Sequence, residues 1–181
     1  MPKLAELKDL VRSDGDTRLL VILGMCSLTL RIGDCLALRV SDLYGKDWLP
    51  LDVLKLTERK TGKRRLIPLQ GINALLLEFS EELKGHGLID DSPLFVSRKQ
   101  KSQLTRTSIN RMLEGYAQRL QLRQLSPHGL RKGSCRHLIL EKGYSIAVVQ
   151  TLLAHSSEKI TARYLDINAQ DVEAAFKDLI V

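Results

Sequence analysis

Four polar residues between Ser126 and Tyr164 carry the chemistry of this chain: His128, Arg131, His155 and Tyr164. His128 and Arg131 are three apart, so on a helix they share a face. Ser126-Pro127 reads as a cap followed by a first helical residue, which places both side chains near a helix start. Backbone N–H groups and the helix dipole favour an anion there. The planar fork of Arg131 suits phosphate oxygens. His155 follows 24 residues after Arg131 and Tyr164 nine after that. Together they describe a phosphate site beside a hydroxyl that could act as a nucleophile. Taken singly, each has a plainer reading: a lone histidine is more often a cap or a core residue, and a lone tyrosine is usually packing. Tyr44, Tyr116 and Tyr144 are expected to be packing residues.

Two earlier segments add charge. Arg31 lies between two apolar stretches with Asp34 three residues later. An arginine in such surroundings is rarely buried without a partner, and the local expectation is an Arg31–Asp34 pair. Farther on, Leu51–Thr57 and Arg65–Leu69 read as strands joined by a Gly62 turn. That turn carries Arg59, Lys60, Lys63 and Arg64. It is either a solvated hairpin tip or a basic finger for a DNA groove or backbone.

The remaining elements must position these groups. Helical periodicity appears in Lys3–Val11, Thr17–Leu28, Ile72–Leu83, Thr105–Leu120, Pro127–Glu141, Ser145–Leu153, Ser157–Tyr164 and Asp171–Ile180. Ser13–Asp16 forms a turn and cap, and the chain leaves helix at Val40–Leu43. Pro68 ends the second strand or marks an edge. Leu94–Val96 suggests a third short strand, and Arg98, Lys99 and Lys101 a basic loop. The expected fold class is mainly α with a small antiparallel β-sheet. No repeat, low-complexity tract or linker divides residues 1–181, so one domain is expected.

Bulk composition agrees with a soluble protein: 44% hydrophobic and 27% charged residues over 181 positions, with a formal charge of +7. The basic balance points to a polyanion, with nucleic acid ahead of membrane. The basic residues sit in loops and hairpin rather than on one amphipathic helix, which argues against a membrane-surface protein. Three scattered cysteines suit a reducing cytosol. No apolar run reaches spanning length and no signal pattern opens the chain, so a cytoplasmic location is expected.

In order, these motifs resemble the catalytic domain of the tyrosine recombinases, the phage-integrase family. The family's first arginine box is similar to Leu28-Thr29-Leu30-Arg31-Ile32-Gly33-Asp34-Cys35-Leu36-Ala37-Leu38. Its hairpin lysine matches Lys60-Thr61-Gly62, its H-x-L-R box His128-Gly129-Leu130-Arg131, its L-G-H box Leu153-Ala154-His155, and its nucleophile Tyr164. Thr29 and Ala154 stand where the family usually has glycine, Asp34 where it has Glu, and Lys132 where His is frequent.

The resemblance implies strand cleavage and rejoining through a 3′-phosphotyrosine, without cofactor or metal. Arg31 and Arg131 then stabilise the phosphoryl charge, His155 donates to it, and His128 relays the tyrosine proton. Lys60 protonates the leaving 5′-oxygen, with Lys63 as its rival, and Asp34 orients Arg31 or the relay. Arg59, Lys63, Arg64 and Lys132 are expected on the DNA. The implied partners are double-stranded DNA and further copies of the chain, a tetramer on paired sites linked by helix 171–180. The N-terminal core-binding and arm-binding domains of many relatives are not expected here. A non-catalytic DNA-binding regulator and a type IB topoisomerase-like relaxer are the alternatives.

Overall fold

The computed structural model describes residues 2–85, 91–97 and 102–167. The expected basic loop at Arg98–Lys101 and the expected helix 171–180 lie outside the described residues. The chain divides into two compact units, Met1–Arg131 and Lys132–Val181. Among the described residues no helix is long and apolar enough to cross a membrane.

The first unit is built around one helix. After α1 (Pro2–Ser13), Asp16 caps α2 (Thr17–Ser27) by accepting the Leu19 N–H at 3.0 Å. Every residue from Arg18 to Cys26 is buried, as expected of a helix apolar all round. It packs against α1, α3 (Ile32–Cys35) and α5 (Asn73–Gly85). Gly24 permits the close approach: a Cβ there would lie 3.2 Å from Ile72 Cγ2. The one buried cation on α2, Arg18, donates to the Val96 carbonyl at 2.6 Å.

Between α3 and α5 the chain forms a two-stranded antiparallel sheet. β1 (Val53–Thr57) pairs with β2 (Arg64–Pro68) in a register running from Val53↔Pro68 to Thr57↔Arg64. Leu54, Leu56 and Ile67 point into the core and alternate with exposed residues, the period-two signature of a half-buried hairpin. Gly62 takes φ +67° in the turn, closed by Gly62 N–H to Glu58 O at 2.8 Å and Glu58 N–H to Lys63 O at 2.9 Å.

Two expectations are corrected here. Val40–Leu43 is a helical turn, α4, boxed at its start by the Arg39 N–H bonding the Asp42 carboxylate at 2.7 Å. Leu94–Val96 does not join the sheet. Its neighbourhood makes only the isolated bridges Arg39↔Pro93 and Val96↔Gln103, because Leu94 and Phe95 are spent on the core instead. A 3-10 turn, Gln70–Ile72, precedes α5. The unit continues through α6 (Arg106–Arg119), capped by Thr105, whose Tyr116 hydroxyl and Arg119 guanidinium both hold Asp14. It ends in the first turn of α7 (Pro127–Leu140). Tyr44 and Tyr116 are buried, as expected of packing residues.

The second unit contains the rest of α7, α8 (Ile146–Leu153) and α9 (Glu158–Tyr164). Among the described residues its core holds Cys135, Val149, Leu153 and Leu165, flanked by Leu138, Ile139, Tyr164 and Ile167. Ser145 and Ser157 cap α8 and α9, each accepting a backbone N–H at 3.3 Å. Gly143, at φ +71°, ends the turn after α7. Tyr144 is half exposed rather than packed.

Candidate active site

In the first unit, Arg31 is the residue before α3. Its backbone is extended (φ −75°, ψ 142°) and a quarter of its side chain is exposed. Its guanidinium ion-pairs at 2.5 Å with Glu58, immediately after β1. The local Arg31–Asp34 pair is therefore corrected. Arg31 lies outside the helix, so three-residue spacing does not bring the two side chains face to face. Asp34 is buried and turns its carboxylate to the hairpin, accepting the Arg59 N–H at 3.0 Å.

Glu58 is 1% exposed. Its Oε1 also meets Arg65 Nη1 at 3.2 Å, and its Oε2 accepts the Thr61 hydroxyl at 2.5 Å. Burial pushes its carboxyl up, but hydrogen bonds from Arg31 and Thr61 and the charges of Arg31 and Arg65 together hold it below the ordinary glutamate range. Arg65 in turn donates to the Thr29 hydroxyl at 2.7 Å and the Thr29 carbonyl at 3.3 Å. Thr29 adopts φ +68°, a left-handed conformation that costs a β-branched residue free energy. Arg59, Lys60, Lys63 and Arg64 are all exposed on the turn above this cluster.

The H-x-L-R box opens α7 as expected. Ser126 accepts the Gly129 N–H at 3.0 Å. His128 is exposed and Arg131 is 4% exposed. Arg131 lies close enough to the buried Cys26 of α2 to oppose the effect of burial, which raises that thiol to about 12. Burial also pushes the Cys35 thiol well up, so both stay protonated and inert.

In the second unit, His155 and Tyr164 are brought together. Their rings meet edge to face, with centroids 5.2 Å apart and planes at 85°. His155 follows Ala154, which caps α8 at φ +54°. The His155 Nδ1 and Thr161 Oγ1 are 3.1 Å apart. The Thr161 hydroxyl also lies 3.2 Å from the Ser157 carbonyl, so it ties the imidazole to the start of α9, with the direction of the Nδ1 bond set by the ring's tautomer. The Tyr164 ring packs on the core of this unit and its hydroxyl oxygen is buried.

Lys132, expected on DNA, is paired with Asp166, two residues after Tyr164. The Lys132 ammonium draws the Asp166 carboxyl below its ordinary range. Arg136, one turn along α7, donates to the Leu165 and Asp166 carbonyls. Sequence reasoning missed Glu58, Arg65, Thr161, Arg136 and Asp166. Only Glu58 left a signal, as the one acid in a turn of four cations.

A sequence model described as the phage integrase family matches residues 4–171. The chain is 31% identical over 179 residues to a probable integrase/recombinase, YoeC, of Bacillus subtilis, covering 98% of this chain and 92% of that protein. It is 29% identical over 177 residues to the tyrosine recombinase XerA of Pyrococcus furiosus, covering 96% of this chain and 58% of the relative. In fold it is similar to the crystal structure of XerA recombinase, with TM-score 0.73 at 19% identity, over 100% of this chain and 62% of that one. It is also similar to XerH recombinase bound to its palindromic difH substrate, with TM-score 0.70 at 23% identity, over 96% and 49%. The chain thus spans nearly all of one relative and from about half to under two thirds of the others.

Proposed function

The chain belongs to the phage integrase family, and from that premise we propose that it is a site-specific DNA recombinase acting through a 3′-phosphotyrosine. The observation that carries this is the pairing of Tyr164 with a histidine whose Nδ1 is already committed, 5.2 Å away ring to ring. The contact sets a proton-handling side chain, itself held by Thr161, against the tyrosine ring.

Tyr164 Oη attacks the scissile phosphorus and displaces the 5′-oxygen of the next nucleotide. The phosphotyrosine conserves the energy of the broken bond, so rejoining is the same step in reverse. Charge builds on the nonbridging oxygens, where Arg31 and Arg131 supply charge-assisted donors. His155, held at Nδ1 by Thr161, adds a donor through Nε2. His128, exposed on the first turn of α7, accepts the tyrosine proton. Lys60 protonates the leaving oxygen from the hairpin. The exposed Arg59, Lys63 and Arg64 bind backbone phosphates alongside it. Because the Tyr164 hydroxyl is buried, docking on DNA must uncover it before attack. The partner is double-stranded DNA, and paired sites call for four copies of the chain.

The test is covalent capture on a nicked duplex, taken from DNA flanking the coding sequence, whose short leaving strand diffuses away after cleavage. Wild type is expected to give a protein–DNA adduct that survives denaturation, and Tyr164→Phe none. An adduct that persists in Tyr164→Phe would move the nucleophile elsewhere. DNA binding with no adduct in either protein would favour a non-catalytic regulator.

A further inference from the structure

We propose that Glu58 is a positioning residue for this chemistry: it fixes the Arg31 guanidinium and ties it to the hairpin that carries Lys60. The proposal rests on the recombinase reading above. Glu58 itself touches no phosphate; it acts through Arg31.

The geometry supports this from three sides. First, both carboxylate oxygens are engaged. Oε1 lies between Arg31 at 2.5 Å and Arg65 at 3.2 Å, and Oε2 takes the Thr61 hydroxyl at 2.5 Å. A carboxylate at 1% exposure is costly, and an apolar residue of similar volume would pack there without it. Its presence is explained by what it holds. Second, Arg31 needs holding. It sits outside α3 in extended backbone, with a quarter of its side chain open. Glu58 anchors one edge of the guanidinium and leaves another for a phosphate. Two arginines against one glutamate leave a net positive charge for that phosphate.

Third, Glu58 is the foot of the turn. Its N–H and C=O close the turn against Lys63 and Gly62, so the residue that grips Arg31 also sets the base from which Lys60 projects. The circuit is closed behind it. Arg65, which clamps Glu58, is held by Thr29 two residues before Arg31. Asp34, three residues after Arg31, holds the Arg59 N–H. The Arg31 segment and the hairpin are therefore cross-linked on both flanks, and one cannot shift without the other.

The experiment has two arms on the full chain. In the first, Glu58→Gln and Glu58→Asp are compared with wild type on the nicked duplex that wild type cleaves. Glu58→Gln keeps the shape and loses the charge. It is expected to slow adduct formation by about 10²-fold, the cost of a misplaced catalytic group, with DNA affinity changed by less than about threefold. Glu58→Asp, which keeps the charge, is expected to recover part of the rate. Equal rates for folded Glu58→Gln and wild type, or rate and affinity falling together, would overturn the proposal.

The second arm needs no activity. The Arg31 guanidinium, assigned by its loss in Arg31→Lys, is expected to rotate slowly by NMR in wild type without DNA. It is expected to average freely in Glu58→Gln. Free rotation in wild type overturns the proposal even if every variant folds poorly. Failure of wild type to form any adduct counts against the recombinase reading, and slow Arg31 rotation still upholds the positioning.

Discussion

Two lysines on one turn are the candidates to protonate the leaving 5′-oxygen in the proposed reaction. Lys60 and Lys63 are both exposed, but they differ in their ties. The backbone of residue 63 is bonded at both ends, its carbonyl to Glu58 and its N–H to Thr61. Lys60 stands free of the turn's closing bonds, two residues after Glu58. General-acid loss has a chemical signature. A 5′-bridging sulfur leaves as a thiolate and needs no proton, so it rescues a missing acid and nothing else. Lys60→Ala is expected to slow cleavage of ordinary DNA by about 10²–10⁴-fold and to recover most of that on the sulfur-bridged duplex. Lys63→Ala is expected to weaken binding without rescue; the reverse pattern would exchange the two roles. At this scale the sequence exposed the residues proposed to face a phosphate and hid those that hold them. Arg31, Lys60, His128, Arg131, His155 and Tyr164 occupy recognisable motifs. Glu58 reaches Arg31 only because the hairpin folds back, and Arg65 reaches Thr29 across 36 residues. Neither contact follows from local spacing.

Elements end where backbone geometry permits, and two of them end on residues with the wrong shape. Ala154 and Thr29 both take positive φ, +54° and +68°, at positions where glycine would be unstrained. Ala154 has only a methyl group to accommodate, and the turn it makes is satisfied by backbone bonds to Gln150 and Thr151. Ala154→Gly is therefore expected to stabilise the protein by about 1 kcal/mol, read as a higher urea midpoint at unchanged slope. Thr29→Gly removes the same strain but deletes the hydroxyl that receives Arg65, so it is expected to destabilise. Gains at both sites would mean that the Arg65 contact contributes nothing.

Apolar periodicity made most helices legible beforehand, and Asp16, Thr105, Ser145 and Ser157 each cap one by accepting a backbone N–H. The four-residue α4 was not legible, because its box uses an arginine where Ser, Thr, Asp or Asn is the usual signal. The supposed third strand failed for a different reason. Three apolar residues in a row fit a core loop as well as a strand, and Leu94 and Phe95 are buried at 0% without a ladder.

Across the whole chain the formal charge is +7. The hairpin cations are exposed, whereas Arg31, Arg65, Arg119 and Lys132 each already face a carboxylate. The turn beside Arg31 thus presents four exposed cations close together in sequence. The same arrangement makes the first unit sensitive to acid. Glu58 titrates below its ordinary value of 4.5 in the folded protein and near that value once unfolded. Its stabilisation is therefore complete above the unfolded value and is lost as pH falls through the folded one. Once the carboxyl is neutral, Arg31 and Arg65 confront each other with nothing between them. Glu58→Gln should thus be less stable than wild type by about 3 kcal/mol near neutrality, and the gap should close at acidic pH, below the ordinary glutamate range. Urea titrations at both pH values read this directly, and a constant gap would show that the proton is not taken up at Glu58. The residue that holds the arginines in register at neutral pH is expected, in acid, to release them.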